Sequence, residues 1–176
     1  AFRQSRGAAN YTVDSAAVHW MITENFRNSN PMDKSNTTLD EFRYQARGYA
    51  KYDDIARLFG WQALKNFFDQ ENLDFNEGTP TCFESPVCRD GLAQVDSRIL
   101  RLSKAANADL TPLIHFWGVH PDNSTALAQA ITAAGLSSST IIRDKLIYYA
   151  SIAPTNNAQF NTHFETVFPG RPSNCA

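Results

Sequence analysis

Apolar residues recur at intervals of three and four along most of this chain, and that period is typical of amphipathic helices. The clearest stripe consists of Leu92, Val95, Ile99, Leu102 and Ala106. No stretch has the pattern of successive strands, and no fixed-period repeat is evident. The sequence therefore predicts an all-α fold, an array of about six to eight helices joined by short loops.

Caps and breakers give the predicted helix boundaries. Asp14 is expected to cap a first helix that ends near Asn28, and the capping box that begins at Thr38 opens the second helix. Gly60 and Gly118 each follow an apolar helix end, so both are predicted to be C′ glycines with positive φ. Thr111 is the expected cap of a short helix. The other predicted helices span about 61–72, 92–106, 124–134, 138–154 and 156–168.

Composition limits the class of protein. The chain has 176 residues, of which 43% are hydrophobic and 19% charged, and this balance is typical of a folded globular domain. A net charge of −2 gives no electrostatic signature for nucleic acid or an anionic membrane. No apolar run approaches the roughly 18 residues needed to span a bilayer. We predict one helical domain over 1–170, cut from a larger secreted protein, with a frayed tail at 171–176.

Cysteine placement carries a signal about the compartment. Cys82 and Cys88 bracket a five-residue loop and are interpreted as a disulfide, which requires an oxidising, extracytoplasmic environment. The alternative is two unpaired thiols; neither a CxxC motif nor a set of partner ligands favours a metal site. Cys175 is either free or paired with a part of the parent protein. We therefore expect the protein to be secreted or to lie at the cell surface.

Motifs that would carry catalysis are missing from the sequence. His19, His115, His120 and His163 form no HExxH pair, and each is interpreted as a surface or locally hydrogen-bonded residue. The carboxylates Asp40, Glu41, Asp53 and Asp54 share one predicted helix and are interpreted as a solvated face. No GxSxG, GxGxxG or P-loop occurs. We therefore predict no catalytic residue, metal ligand or cofactor in this chain.

Two segments carry a family resemblance. The segment 51–64, which contains Phe59-Gly60-Trp61, resembles the helix, Phe-Gly-Trp, helix segment of enhancin-like, mucin-degrading zinc metallopeptidases. The segment 99–119 is similar to the same family's "Ser-Lys, Asn-x-Asp-Leu-x-Pro, Trp-Gly" segment. The resemblance spans about residues 40–121. It implies the helical C-terminal part of a gluzincin catalytic module, in a parent that cleaves glycoproteins such as mucins with zinc-activated water and a Glu base.

The resemblance implies a role for this region without any zinc ligand of its own. A rigid helical block can form the wall of a peptidase cleft opposite the metal and support the substrate. Tyr49, Tyr52, Trp61 and Trp117 are then candidates for sugar-facing aromatic residues, with core packing as the alternative for each. We expect Trp61 and Trp117 to pack against neighbouring helices. The expected partners are the rest of the parent polypeptide and a glycoprotein substrate. The competing hypothesis is a non-catalytic helical module, binding carbohydrate or protein or acting as a spacer, in a secreted lipoprotein or adhesin.

Overall fold

The computed structural model of the chain describes residues 12–32, 40–76, 88 and 90–167. Apart from one bridge residue, Ala93, every regular element in these ranges is an α-helix, which confirms the all-α prediction. The helices are α1 Val13–Met21, α2 Glu24–Arg27, α3 Asp40–Phe59, α4 Trp61–Asn76, α5 Gln94–Ala106, α6 Thr111–Phe116, α7 Ser124–Ala133, α8 Thr140–Ile152 and α9 Asn157–Val167.

Threonine caps explain why the first predicted helix is two helices. Thr12, not Asp14, caps α1, because its side-chain oxygen accepts a hydrogen bond from the Ser15 backbone N–H at 3.2 Å. Thr23 then starts α2 by accepting from the Phe26 backbone N–H. A hydroxyl that satisfies an unpaired N–H allows a new helix to begin, so the predicted segment breaks after Met21.

Two later helix starts also differ from the predicted ones. Thr111 is the first residue of α6 and not its cap, and its backbone N–H donates to Asp109 Oδ1 at 2.9 Å. Pro112, which the sequence places at the first helical position, is the second residue of α6, where its missing N–H still costs nothing. α8 begins at Thr140, two residues after its predicted start at about residue 138.

Contacts within the chain divide it into two units. The terminal unit comprises 1–50 and 147–176, and the central unit comprises 51–146. The single domain over 1–170 stays a prediction, and the predicted tail at 171–176 lies outside the described residues.

Helix α5 lies at the middle of the central unit and contacts α4, α6 and α7. It buries Ile99, Leu100 and Leu102, and each such side chain contributes about 1.5–3 kcal/mol when fully buried. The core of this unit is completed by other large buried side chains, among them Ile55, Phe67, Leu110, Leu113, Ile114, Leu127 and Ile142. The helix that carries the clearest apolar stripe in the sequence is thus the one against which α4, α6 and α7 pack.

Buried polar groups on α5 hold the loops that follow it. Both carboxylate oxygens of Asp96 accept hydrogen bonds at 2.8 Å, one from the Asp122 backbone N–H and one from that of Asn123. Ser103 Oγ accepts from the Leu110 backbone N–H at 3.1 Å. These bonds satisfy donors that precede α6 and α7, so α5 fixes where both helices begin.

The terminal unit has its core along α1. Val13, Ala16, Ala17 and Val18 are buried there, and Trp20 packs edge to face against Phe26 with 5.7 Å between ring centroids. Tyr149 of α8 is also fully buried.

The predicted disulfide involves one described residue. Cys88 is buried, and its backbone N–H donates to the Leu92 carbonyl at 2.7 Å. Cys82 and Cys175 lie outside the described residues, so the Cys82–Cys88 pairing stays a prediction.

Candidate functional site

Asp54 joins three helices of the central unit in a buried polar cluster. Its side chain is 0% exposed, and its Oδ2 accepts a 2.8 Å hydrogen bond from Trp117 Nε1. Lys145 Nζ lies 3.8 Å from Asp54 Oδ1. A buried carboxylate is tolerated where a cation and hydrogen-bond donors compensate for lost hydration. The interpretation of Asp54 as part of a solvated face is therefore wrong.

Trp117 belongs to this cluster and not to a substrate surface. It is the C-cap residue of α6 and is 1% exposed, with its only side-chain donor used on Asp54. Gly118, with φ of 73°, turns the chain immediately after it. Packing is the role that the structure gives Trp117, and its ring is not accessible to a sugar.

Trp61 has the opposite environment. Gly60, with φ of 85°, ends α3, and Trp61 begins α4 with 71% of its surface exposed. The predicted packing of Trp61 against a neighbouring helix is therefore wrong. Tyr49, in the terminal unit, is 63% exposed, and Tyr52 is half-buried. Three of the four sugar-facing candidates thus present surface to solvent.

An aromatic face lies on α4 and the adjacent part of α3; we define it as Tyr52, Trp61 and Phe68. Trp61 and Phe68 are seven residues apart, which places them on the same side of α4 at about 10 Å along its axis. The Tyr52 and Phe68 rings have centroids 6.2 Å apart, and the Lys51 ammonium lies 4.7 Å from the centroid of the Tyr52 ring. Sequence reasoning missed Phe68 because its apolar character was assigned to the core.

Exposed polar side chains occupy the neighbouring sides of α4, with Lys65 the nearest of them to Trp61 around the helix. Gln62 Nε2 donates to Asn66 Oδ1 at 2.7 Å, and Lys65 forms an ion pair with Asp69. All four side chains are exposed, and each pair is spaced by one helical turn. Aromatic rings beside amide, carboxylate and ammonium groups can stack on an apolar ligand surface and exchange hydrogen bonds with hydroxyls.

The four histidines form two pairs, which the sequence did not indicate. His115 and His120 are stacked in the central unit, with ring centroids 4.2 Å apart and planes at 24°. The Gly118 corner brings them together, because the Val119 backbone N–H donates back to the Ile114 carbonyl. Burial lowers the pKa of His120, and the nearby His115 lowers it further. His19 and His163 meet edge to face in the terminal unit.

These pairs do not fit a catalytic zinc centre. Such a centre uses three protein ligands and leaves one position for water or substrate. Among the residues that the structure describes, no three His, Cys, Asp or Glu side chains are grouped so that they could hold a metal ion. Nor does any described helix have the length and apolar character required to cross a membrane.

Comparison with known proteins gives no match: no family model fits the chain, and neither the curated proteins nor the solved structures contain a significant relative.

Proposed function

We propose that this chain is the helical, non-catalytic part of an extracytoplasmic zinc metallopeptidase that acts on glycoproteins such as mucins, and that the aromatic face contacts the glycosylated substrate. The exposure of Trp61 carries the proposal, since an indole ring left largely in water contributes little to folding. The Phe59-Gly60-Trp61 segment is also one of the two segments that resemble the mucin-degrading family.

The chemistry of the aromatic face suits a sugar. A pyranose ring offers apolar C–H groups to an aromatic side chain and hydroxyls to polar neighbours, and Lys65 lies one helical turn after Trp61 on the same side of α4. Zinc and the catalytic Glu belong to the rest of the parent in this proposal, and this chain supports the cleft.

Binding of a glycopeptide to the isolated chain tests the role of the aromatic face. The probes are a Ser/Thr-rich peptide with a single O-linked N-acetylgalactosamine and the same peptide without the sugar, measured by isothermal titration calorimetry. We expect the glycosylated form to bind more tightly, and Trp61→Ala to weaken it by about tenfold, about 1.4 kcal/mol. Leu73→Ala is the matched control, because Leu73 is also exposed on α4, at 53%, but lies about 120° around the helix from Trp61.

Equal affinity for the two peptides, or an equal loss in both variants, would contradict glycan contact through Trp61.

The full-length reading frame of the parent decides between the two function classes. An HExxH motif upstream of this chain supports the peptidase. Its absence favours a separate binding or spacer module in a secreted lipoprotein or adhesin.

A further inference from the structure

His163 of α9 contacts α1 through a second imidazole. Its ring meets His19 edge to face, with centroids 5.4 Å apart and planes at 87°. His163 Nε2 is buried and has no hydrogen-bond partner. Burying a bare nitrogen lone pair costs less than burying an N–H without an acceptor, so this site favours the neutral ring with its proton on Nδ1.

Helix α9 buries few of its own residues. Of its residues, Val167 is buried, whereas the rest are partly or fully exposed. Phe160 and Phe164 contact each other at 6.2 Å and are only partly buried. Helices with few buried apolar residues open at low free-energy cost, so we expect α9 to respond when the His19–His163 contact is weakened.

Among the described residues of the terminal unit, no charged side chain accepts a hydrogen bond from His163 Nε2. On α1 the other titratable residue is Asp14, which accepts a 2.9 Å hydrogen bond from the Tyr148 hydroxyl of α8. Glu165 on α9 and Glu24 and Arg27 on α2 are exposed. Tyr149 of α8 is buried. Since His163 Nε2 has no partner, none of these carboxylates accepts from it.

We propose that the His19–His163 contact is acid-sensitive and that α9 separates from α1 when His163 takes up a proton. Protonation places an N–H at the buried Nε2, where it has no acceptor, and adds a positive charge beside a second titratable ring. Detachment lets water solvate that charge. This proposal concerns the terminal unit and does not depend on the function proposed for the aromatic face in the central unit.

The direction of the effect follows from burial. Burial lowers the pKa of His163 below its ordinary value of 6.5. The unfolded or detached state then binds more protons in mild acid. The stability that the contact provides is therefore fully present above about pH 6.5 and decreases as the pH falls below that value.

Hydrogen exchange of the α9 amides, corrected for the intrinsic pH dependence of exchange, tests the proposal. Between pH 7.5 and pH 5.5 we expect protection of 157–167 to fall by at least about fivefold. His163→Phe keeps an aromatic ring without the titrating group, so the fall should disappear. His120→Phe is the control, because it removes a histidine of the central unit and should leave the α9 response intact. Unchanged α9 protection in the wild type, or a response that persists in His163→Phe, overturns the proposal.

A second measurement covers the case in which His163→Phe does not fold. The wild-type imidazole signals are titrated by NMR together with the α9 amides. We expect His163 to titrate below pH 6.5 and the α9 amides to change with the same midpoint. A midpoint at or above 6.5, or α9 amides that do not follow it, would refute the acid-sensitive contact.

Discussion

The corners at Gly60 and Gly118 are similar in sequence and opposite in outcome. Both glycines have positive φ, 85° and 73°, and each has a tryptophan beside it. Trp117 precedes its glycine, ends α6 and is buried against Asp54, whereas Trp61 follows its glycine and begins α4 in solvent. The same residue types thus give a structural corner in one place and an exposed face in the other, and the order of Trp and Gly distinguishes them.

The largest expected difference between the corners comes from truncating the two tryptophans. Trp117→Ala should lower the free energy of unfolding by about 3–5 kcal/mol, because it opens a cavity and removes a donor from a buried carboxylate. Trp61→Ala should change it by less than about 0.5 kcal/mol, since its ring is already largely in water. Urea denaturation of both variants measures this, and similar losses would contradict the assignment of one corner to packing and the other to surface.

Changing the carboxylate beneath Trp117 sharpens the comparison. Asp54→Ala removes the carboxylate that accepts from the Trp117 N–H and lies beside the Lys145 ammonium, and we expect a loss of about 3 kcal/mol. Asp54→Asn keeps an acceptor for Trp117 but removes the charge, so its loss should be smaller. Asp69→Asn is the surface control, because the Asp69–Lys65 pair is exposed and worth less than about 1 kcal/mol. A loss for Asp54→Ala no greater than that of the control would show that the cluster does not stabilise the fold.

Substitution of the glycines has the smallest expected effect. Gly60→Val and Gly118→Val should each cost at least about 1 kcal/mol, since a β-branched residue is poorly tolerated at positive φ. A Cβ added at Gly60 meets no atom within 4 Å, so its cost is conformational alone. Gly118 is buried, and Gly118→Val should therefore cost more. Thermal unfolding that shows no change in Tm for either variant would contradict the strained-corner argument.

Local signals in the sequence predicted much of the fold. The stripe on α5 and the positive φ of both glycines followed from periodicity and from the steric freedom of glycine, which act over a few residues. The break between α1 and α2 was missed because a Thr cap competes with an apolar pattern that continues through it.

The environment of the site residues depends on distant parts of the chain, and sequence reasoning was weaker there. Asp53 and Asp54 are adjacent, yet Asp53 pairs with Arg57 on the helix surface while Asp54 is fully buried. The sequence did contain a signal for Asp54, because it lies four residues after the apolar Ala50 and so falls on the same side of α3. The structure shows that Ala50 is buried. The exposure of Trp61 and the pairing of the histidines had no such signal, since both depend on how the helices are placed.

The bonds from Asp96 to the start of α7 have a consequence for how this region can be inherited. The Asp96 carboxylate lies 26 residues before the first backbone N–H from which it accepts a hydrogen bond. The carboxylate and the N–H groups before α7 therefore satisfy each other across that distance in sequence. A recombination breakpoint between α5 and α7 keeps these bonds only if one parent supplies the carboxylate at position 96 and the other holds the backbone N–H groups of 122 and 123 in the same place. Shuffling between related genes should therefore preserve residues 94–133 as one exchangeable block, with viable crossovers outside it.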